Sequence, residues 1–508
     1  MKKRLAALLA GILLVSGIAA CQSDDTPEGG ADSSTTTTTT TQEAETPETD
    51  EPVDTDEQTE EPTDTEEPSE EPSDTDEPEA PQGPDLGGRT FKMAAWYELE
   101  LEPGDNEQDD QLIERYAQME EDLNFTWEYV NIPWEDYQRT YITNSMAGDA
   151  LGDVALVEYT WLYPNLSMNG FLADINLIES LDRSAEKWNQ DMFDLSTFDG
   201  ATYGFDTGRP WPVGMMFWNK TMFEREGLPS IYDDINNDTW TWDKMAEYAK
   251  VLTQDTDGDG VTDQWGLSGT TLMATVVFSN DAQVIDMSDA KNPTFDLLSD
   301  NAMEAFQFIQ DLSTVDQVIE VNPPDSEWDY SKTQFANGNV GMFVGQWWQV
   351  DSIREVMLES GEEYGIAYFP KGPKADEFIS HSTATNIWTV PEAVEDKETA
   401  IQIFDLRTEP LPDEHPDDWR IYFEDRVMDA ESVDLIQRLQ EDGLTVYDTT
   451  SHFSGVVELS YTYNDQILQG TETPQAAISA IADQAQNLID TAMRNTPDDL
   501  VDALAPEE

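Results

Sequence analysis

Hydrophobic and polar positions along the first ninety residues fall into blocks with no period. Lys2, Lys3 and Arg4 precede a largely apolar stretch, Leu5 to Ile18. That stretch is shorter than the about 20 residues a spanning helix needs and predicts an export signal. From Gln22 to about Gly87 the chain is Thr, Glu, Asp, Pro and Ser, with the run Thr35 to Thr41, repeated steps such as Glu60-Glu61-Pro62, and no Lys or Arg. Too few apolar side chains are present there to offset ordering entropy, and like charges with prolines keep such a chain extended. A disordered tether is the expectation.

Periodicity begins near Arg89. Phe91 to Trp96 reads as a buried strand. Leu112, Ile113, Tyr116, Met119 and Leu123 lie at helical spacing within Asp110 to Leu123. Phe125 to Val130 reads as a second strand, Asp136 to Met146 as a helix, and Asp153 to Val157 as a third strand. This alternation predicts parallel strands in an α/β sheet. Further on, Thr241 is placed to cap a helix with Trp242, Met245, Ala249 and Leu252 on one face. Gly338 and Gly341 bracket a turn into an apolar strand, Val340 to Val344. Thr473-Pro474 predicts a cap with proline at the first helical position.

Composition sharpens this picture. The chain of 508 residues carries 107 acidic and 25 basic side chains, formal net charge -82. Of these, 84 acidic and 22 basic residues lie between Asp85 and Glu508, so the body is acidic as well as the tether. Such a surface repels phosphate backbones and argues against nucleic-acid binding. The single cysteine, Cys21, excludes an intrachain disulfide and a thiolate metal cluster. His381, His415 and His452 are too scattered to suggest a zinc site.

Ile18-Ala19-Ala20-Cys21 resembles the lipobox of bacterial lipoproteins. Small residues admit a peptidase, and the thiol is the nucleophile that accepts diacylglycerol. Residues 1–21 are thus expected to be a lipoprotein signal ending in the lipidated cysteine, which places the protein on the outer face of the cytoplasmic membrane.

The body resembles the extracellular solute-binding proteins of sugar ABC importers, the group that includes maltose-binding protein. The likeness runs from about Arg89 to Asp490 in the family's order. It is carried by Ala147-Gly148-Asp149 through Gly152-Asp153-Val154, Gly170 to Asp174, Tyr203-Gly204-Phe205, Phe217 to Phe223 with Gly227-Leu228, Thr241 to Met245, Phe335 to Met342 with Gly345-Gln346-Trp347, Phe369 to Pro373, and Pro474 to Ala477. Asp206, Lys244 and Trp218 stand where the family usually has Pro, Glu and Tyr. The resemblance implies a two-lobed α/β fold of the periplasmic-binding-protein type (type II), with the ligand in a cleft between lobes and no catalytic group. It places the crossovers near Tyr203 to Pro212 and Tyr364 to Pro370. Lobe 1 would then comprise about 88–205 and 370–410, and lobe 2 about 211–365 and 411–508. It implies a carbohydrate solute and ABC permease subunits as partners, with no cofactor required.

Sugars present C–H faces that stack on aromatic rings and hydroxyls that need fixed polar partners. Trp347 matches the family's sugar-stacking tryptophan, and Trp348 should face the other way if the strand continues. Trp96 ends the first strand and Trp161 follows the third, where open α/β sheets bind ligands. Trp211 lies by the first crossover, and Glu158 and Asp206 are candidate hydroxyl acceptors. Asp255, Asp257, Asp259 and Asp263 have the first part of the spacing of a calcium loop, with Gly260 at the turn but Gly266 where a bidentate Glu should stand. A structural calcium ion is the one metal this spacing suggests.

Two rival functions share parts of this reading. A ligand-sensing lipoprotein acting with a membrane kinase would have the same fold. A secreted polysaccharide-degrading enzyme would need a nucleophile motif, an ordered Ser-His-Asp set or a zinc pattern, and none is present.

Overall fold

The structure is a computed structural model. It describes residues 85–505 apart from 105–106, 209–212, 324–325, 383–384, 412–419, 421–422, 425 and 442–443. Cys21, nearly all of the tether and Trp211 therefore lie outside the described residues. Those described fall within one compact unit, 81–508, built as two lobes around two separate sheets.

Lobe 1 follows the expected alternation. Strand β1 (Arg89–Ala95) pairs in parallel with β2 (Phe125–Asn131) and with β3 (Val154–Glu158). The connecting helices are Glu107–Leu123 and Trp134–Ala147, the second ended by Gly148 in the left-handed conformation, φ 79°. Every residue of β3 is buried, as a central parallel strand requires. A small hairpin, β4 (Thr197–Phe198) and β5 (Ala201–Thr202), sits outside the main sheet.

Lobe 2 carries β6 (Val213–Asn219), β7 (Trp265–Gly269), a short pair β8 (Ile285–Asp286) and β9 (Thr294–Phe295), then β10 (Val340–Gln346), β11 (Tyr364–Ala367) and β12 (Ser380–Ser382). β6 runs antiparallel to β10, β11 and β12. Gly338, φ 75°, turns the chain into β10 as its sequence predicts. Strand β13 (Asn386–Thr389) then returns to lobe 1 and pairs antiparallel with β3, while β14 (Thr445–Tyr447) pairs in parallel with β12.

This topology corrects the second crossover. Tyr364 to Ala367 hydrogen-bonds to β6, Gly372 N–H donates to the Ser279 carbonyl, and Ser380 to Ser382 still belongs to the lobe 2 sheet. The chain changes lobes only between Ser382 and Asn386. The apolar stretch at Tyr364 gave no sign of which sheet edge it would join. At the first crossover Phe205 is bridged to Trp388 in lobe 1 and Val213 opens β6 in lobe 2, with 209–212 between them outside the described residues.

Helix caps divide in the same way. Thr473 accepts the N–H of Ala476 and Pro474 fills the first helical position. Thr241 occupies the cap position of Trp242–Leu252, but its side chain makes no cap bond. Lys244, three residues in, is bound to Glu247 at 2.9 Å. The lobes also touch directly. Tyr163 of lobe 1 donates to the Ala290 carbonyl of lobe 2, and the helix Pro497–Ala503 packs on Trp134–Ala147. Among the described residues no helix is long and apolar enough to cross a membrane.

Candidate ligand-binding site

Three parallel strands of lobe 1 end side by side and deliver aromatic side chains to one place. Trp96 and Tyr97 follow β1, Trp134 follows β2, and Glu158 closes β3 with Trp161 one turn later. The indole of Trp96 meets that of Trp161 edge to face at 5.3 Å, and Trp134 is tilted against Trp161 at 5.8 Å. Tyr137 lies beneath, 5.3 Å from Trp96 and 5.9 Å from Trp161, and its hydroxyl donates to the Ala94 carbonyl at 3.0 Å. Trp96 and Trp134 are only partly buried, whereas Trp161 is 8% exposed. The result is an aromatic bowl whose rim rings are Trp96 and Trp134 and whose base is Trp161 on Tyr137.

Two carboxylates belong to this region. Glu158 is buried opposite Asn386 of β13, and burial raises its pKa, with the side chains of Thr160 and Trp134 opposing the rise. Asp206 is half-buried, and its carboxylate accepts the N–H of Gly208 at 2.7 Å. Burial pushes its pKa up to about 6, against the pull of the Gly208 and Thr207 N–H groups. Tyr97 is brought up to about 12, by desolvation first and by the nearby charge of Asp206 second. Bowl and acceptors together can hold a ligand that is flat and apolar on one face and rich in hydroxyl donors at its edge.

A pH dependence follows. Asp206 has a folded pKa above the ordinary aspartate value of 3.8. The folded chain therefore binds this proton more readily than the unfolded chain, and the stability cost of the buried charge is relieved as pH falls from about 7 toward 4. Asp206→Asn is expected to flatten that part of a Tm-against-pH profile. An unchanged profile would place the titration on other groups.

The structure unites Trp96, Trp161 and Glu158, with Asp206 beside Tyr97. The sequence reading missed Trp134, Tyr97 and Tyr137. Trp134 follows the carboxyl end of β2 after Ile132-Pro133, so the signal that marked Trp96 was present there too.

Lobe 2 differs from expectation. Trp347 and Trp348 do not extend the strand. The ladder to β6 shifts register between Gly345 and Gln346, and Gln349 accepts the Gln346 N–H at 2.9 Å, opening a 3-10 turn, Trp347–Gln349. Strand alternation therefore does not apply. Trp347 is 3% exposed with its ring 4.2 Å from that of Phe423, while Trp348 is the more exposed of the two. Trp347 is thus a buried ring packed against Phe423 and not an exposed stacking face.

The acidic loop closes through the Gln254 to Gln264 bridge. Carboxylate oxygens of Asp255, Asp257 and Asp263 lie within 4.8 Å of one another and are exposed, whereas Asp259 does not join them. The Asp259 carboxylate accepts the Val261 N–H at 2.8 Å instead. Asp255 also accepts N–H groups from Gly258 and Gly260, so the loop is partly satisfied by its own backbone.

Two lobes, a chain that passes between them more than once, and an aromatic cluster at the strand ends fit the architecture of a two-lobed binding protein. Residues 111–410 match the bacterial extracellular solute-binding protein family, and the chain belongs to it. Similar solved structures share the fold at low identity. M. tuberculosis UspC has a TM-score of 0.59 at 16% identity, over 79% of this chain and 100% of its own. A Staphylococcus aureus extracellular solute-binding protein in complex with maltose gives 0.55 at 15%, over 82% and 99%. A Listeria monocytogenes ABC substrate-binding protein in complex with cycloalternan gives 0.53 at 17%, over 79% and 99%. No curated protein matches the sequence.

Proposed function

We propose that the protein captures a mono- or oligosaccharide at the aromatic bowl and delivers it to an ABC importer as a lipid-anchored receptor. The observation that carries this reading is the meeting of Trp96, Trp134 and Trp161 with the acceptor Glu158 at the ends of three parallel strands. Aromatic faces and carboxylate acceptors are the two things a pyranose recruits. The maltose and cycloalternan complexes of similar fold support a saccharide as the ligand class. A thermal-shift screen against maltose, maltotriose and other saccharides tests it, since a ligand bound only by the folded state raises Tm. At least one saccharide should raise Tm with saturation and without being turned over. No shift across the set, or release of product, would remove the proposal.

The anchor is Cys21, the only cysteine, placed directly after the apolar leader. Mass spectrometry of the mature chain should find a diacylglycerol thioether on an N-terminal cysteine. A chain beginning elsewhere, or an unmodified thiol, contradicts the anchor.

The loop from Asp255 to Asp263 is proposed to hold a structural calcium ion on Asp255, Asp257 and Asp263, a hard cation on oxygen ligands. Chelation should lower Tm in wild type and leave Asp257→Ala unchanged. Identical melts with and without chelator count against calcium.

A further inference from the structure

Of the three histidines, His381 and His452 are described, and both are buried, 1% and 4% exposed. They differ in what surrounds them. His381 is packed within lobe 2, its ring stacked on Phe278 at 5.1 Å. His452 belongs to lobe 2, but its ring lies against lobe 1. It ends the 3-10 turn Thr449–His452, which follows β14 and precedes the helix Ser454–Leu468, itself packed on the lobe 2 helix Asp300–Thr314. The ring meets Tyr159 edge to face at 4.3 Å, and Tyr163 and Phe198 at 6.2 and 6.1 Å. These three rings come from lobe 1, two from the segment after β3 and one from β4.

Nδ1 of His452 lies 3.4 Å from the Thr160 carbonyl of lobe 1. A carbonyl can only accept, so the proton of the neutral ring sits on Nδ1 and Nε2 keeps a lone pair. That Nε2 is buried with no hydrogen-bond partner. A second proton would make the ring a cation inside an aromatic cluster, and aromatic faces offset only part of the lost hydration. Titratable groups approach from every side. In lobe 1, Glu158 holds the side chains of Thr160 and Trp134. Asp199 of lobe 1 and Asp289 of lobe 2 bear on Tyr163. On the ring's own side Asp448 accepts the Thr450 N–H at 2.9 Å, and burial keeps the Tyr447 and Tyr463 phenols protonated. Burial outweighs them all, and the His452 pKa falls to about 4, opposed by the Thr160 and Tyr163 backbone.

We propose that His452 is a proton-operated latch between the lobes, whose neutral ring holds this arrangement and whose protonation releases the Thr449–His452 turn from lobe 1. A ring freed into water regains the ordinary value of 6.5, above that of the buried ring, so the open arrangement takes up the proton more readily. The latched arrangement keeps its full advantage above about pH 6.5 and loses it as pH falls toward 4. At about pH 5.5 the ratio of latched to open molecules should be about tenfold lower than at about pH 7.5. Other ties between the lobes are neutral, Tyr163 to the Ala290 carbonyl and Asn169 to the Asn495 carbonyl, or exposed, as in the Lys291–Asp199 pair at 2.5 Å. Solute held between the lobes would be kept near neutral pH and let go in acid. That consequence rests on the reading of the protein as a solute receptor, whereas the latch itself does not.

The test is the distance between the lobes, measured without solute by electron–electron double resonance. Nitroxides are placed at Asp122→Cys on lobe 1 and Glu359→Cys on lobe 2, both exposed, in the full chain carrying Cys21→Ser. Sodium chloride at about 0.3 M screens the Lys291–Asp199 pair. Between about pH 7.5 and about pH 5.5 a longer-distance population should appear, and it should vanish on return. His452→Phe and His452→Gln are neutral at both values, so each should show one distribution throughout, whichever arrangement it is. Asp206, raised to about 6, titrates in the same window, and His381 is the other buried ring. Asp206→Asn and His381→Phe should therefore keep the shift. A parent chain that does not shift, a His452 variant that shifts as the parent does, or a shift lost in Asp206→Asn or His381→Phe would each overturn the latch. Proton NMR of the unlabelled chain gives a reading that needs no variant to bind or to open. The His452 Cε1–H resonance, assigned by its absence from His452→Gln, should titrate below the ordinary 6.5, and a midpoint at or above that value would overturn the latch as well.

Discussion

Trp96→Ala is expected to weaken the saccharide found by screening by about 2 kcal/mol, roughly 30-fold in Kd, the scale of an aromatic anchor lost from a binding site. Trp96 stands at the end of β1 and is only partly buried, with Trp161 at 5.3 Å supporting it from one side. Tyr137 also meets it at 5.3 Å and Tyr97 at 6.0 Å, so it is a partly exposed ring at the edge of an aromatic cluster, and removing it should leave the sheet intact. Trp347→Ala is the informative contrast. Its ring is packed on Phe423, so truncation should lower stability before it lowers affinity. Isothermal titration of both variants, with Tm measured beside it, separates the two roles. Unchanged affinity in a folded Trp96→Ala protein, with affinity lost in Trp347→Ala, would return the sugar to lobe 2.

The largest stability loss is expected at Trp240. It is fully buried in lobe 2, its ring lies 6.0 Å from that of Tyr248, and its Nε1 donates to the Tyr368 carbonyl at 2.9 Å. Trp240→Ala removes the packing and leaves that carbonyl unpaired inside the lobe, for a cost of about 3–5 kcal/mol. Trp240→Phe keeps most of the ring and loses the hydrogen bond, so about 1–2 kcal/mol is expected. Urea denaturation followed by tryptophan fluorescence reads both. Equal losses in the two variants would show that the hydrogen bond, and not the packing, holds this corner. Ligand affinity of the folded fraction should change little in either variant, because Trp240 is in lobe 2 and touches none of the bowl.

Much of this architecture is legible from local pattern. The alternation from Arg89 to Val157 predicts β1, β2, β3 and both intervening helices within a few residues of where they stand. A parallel sheet buried on both faces needs unbroken apolar strands and amphipathic helices, and both patterns are written in neighbouring residues. The Trp96 and Trp161 candidates follow from the same logic, since a parallel strand's carboxyl end is fixed once the strand is found.

What the sequence alone determines is therefore what neighbours along the chain decide: the acidic composition of residues 22–87, the strand and helix order of lobe 1, the Thr473-Pro474 cap, and the carboxylate spacing of Asp255 to Asp263. Tertiary structure decides what depends on partners far away in the chain. It put Tyr364 to Ala367 on the edge of β6 and moved the second crossover past Ser382, because edge pairing is chosen by a strand more than a hundred residues earlier. It broke the strand at Gln346, buried Trp347 against Phe423, and brought Trp134 beside Trp161. It turned Asp259 out of the acidic cluster toward the Val261 amide. It also set Tyr159 beside Tyr447, nearly three hundred residues apart, in a crevice no local pattern announces. Periodicity reports which face of an element is buried, and only the packed chain determines what that face meets.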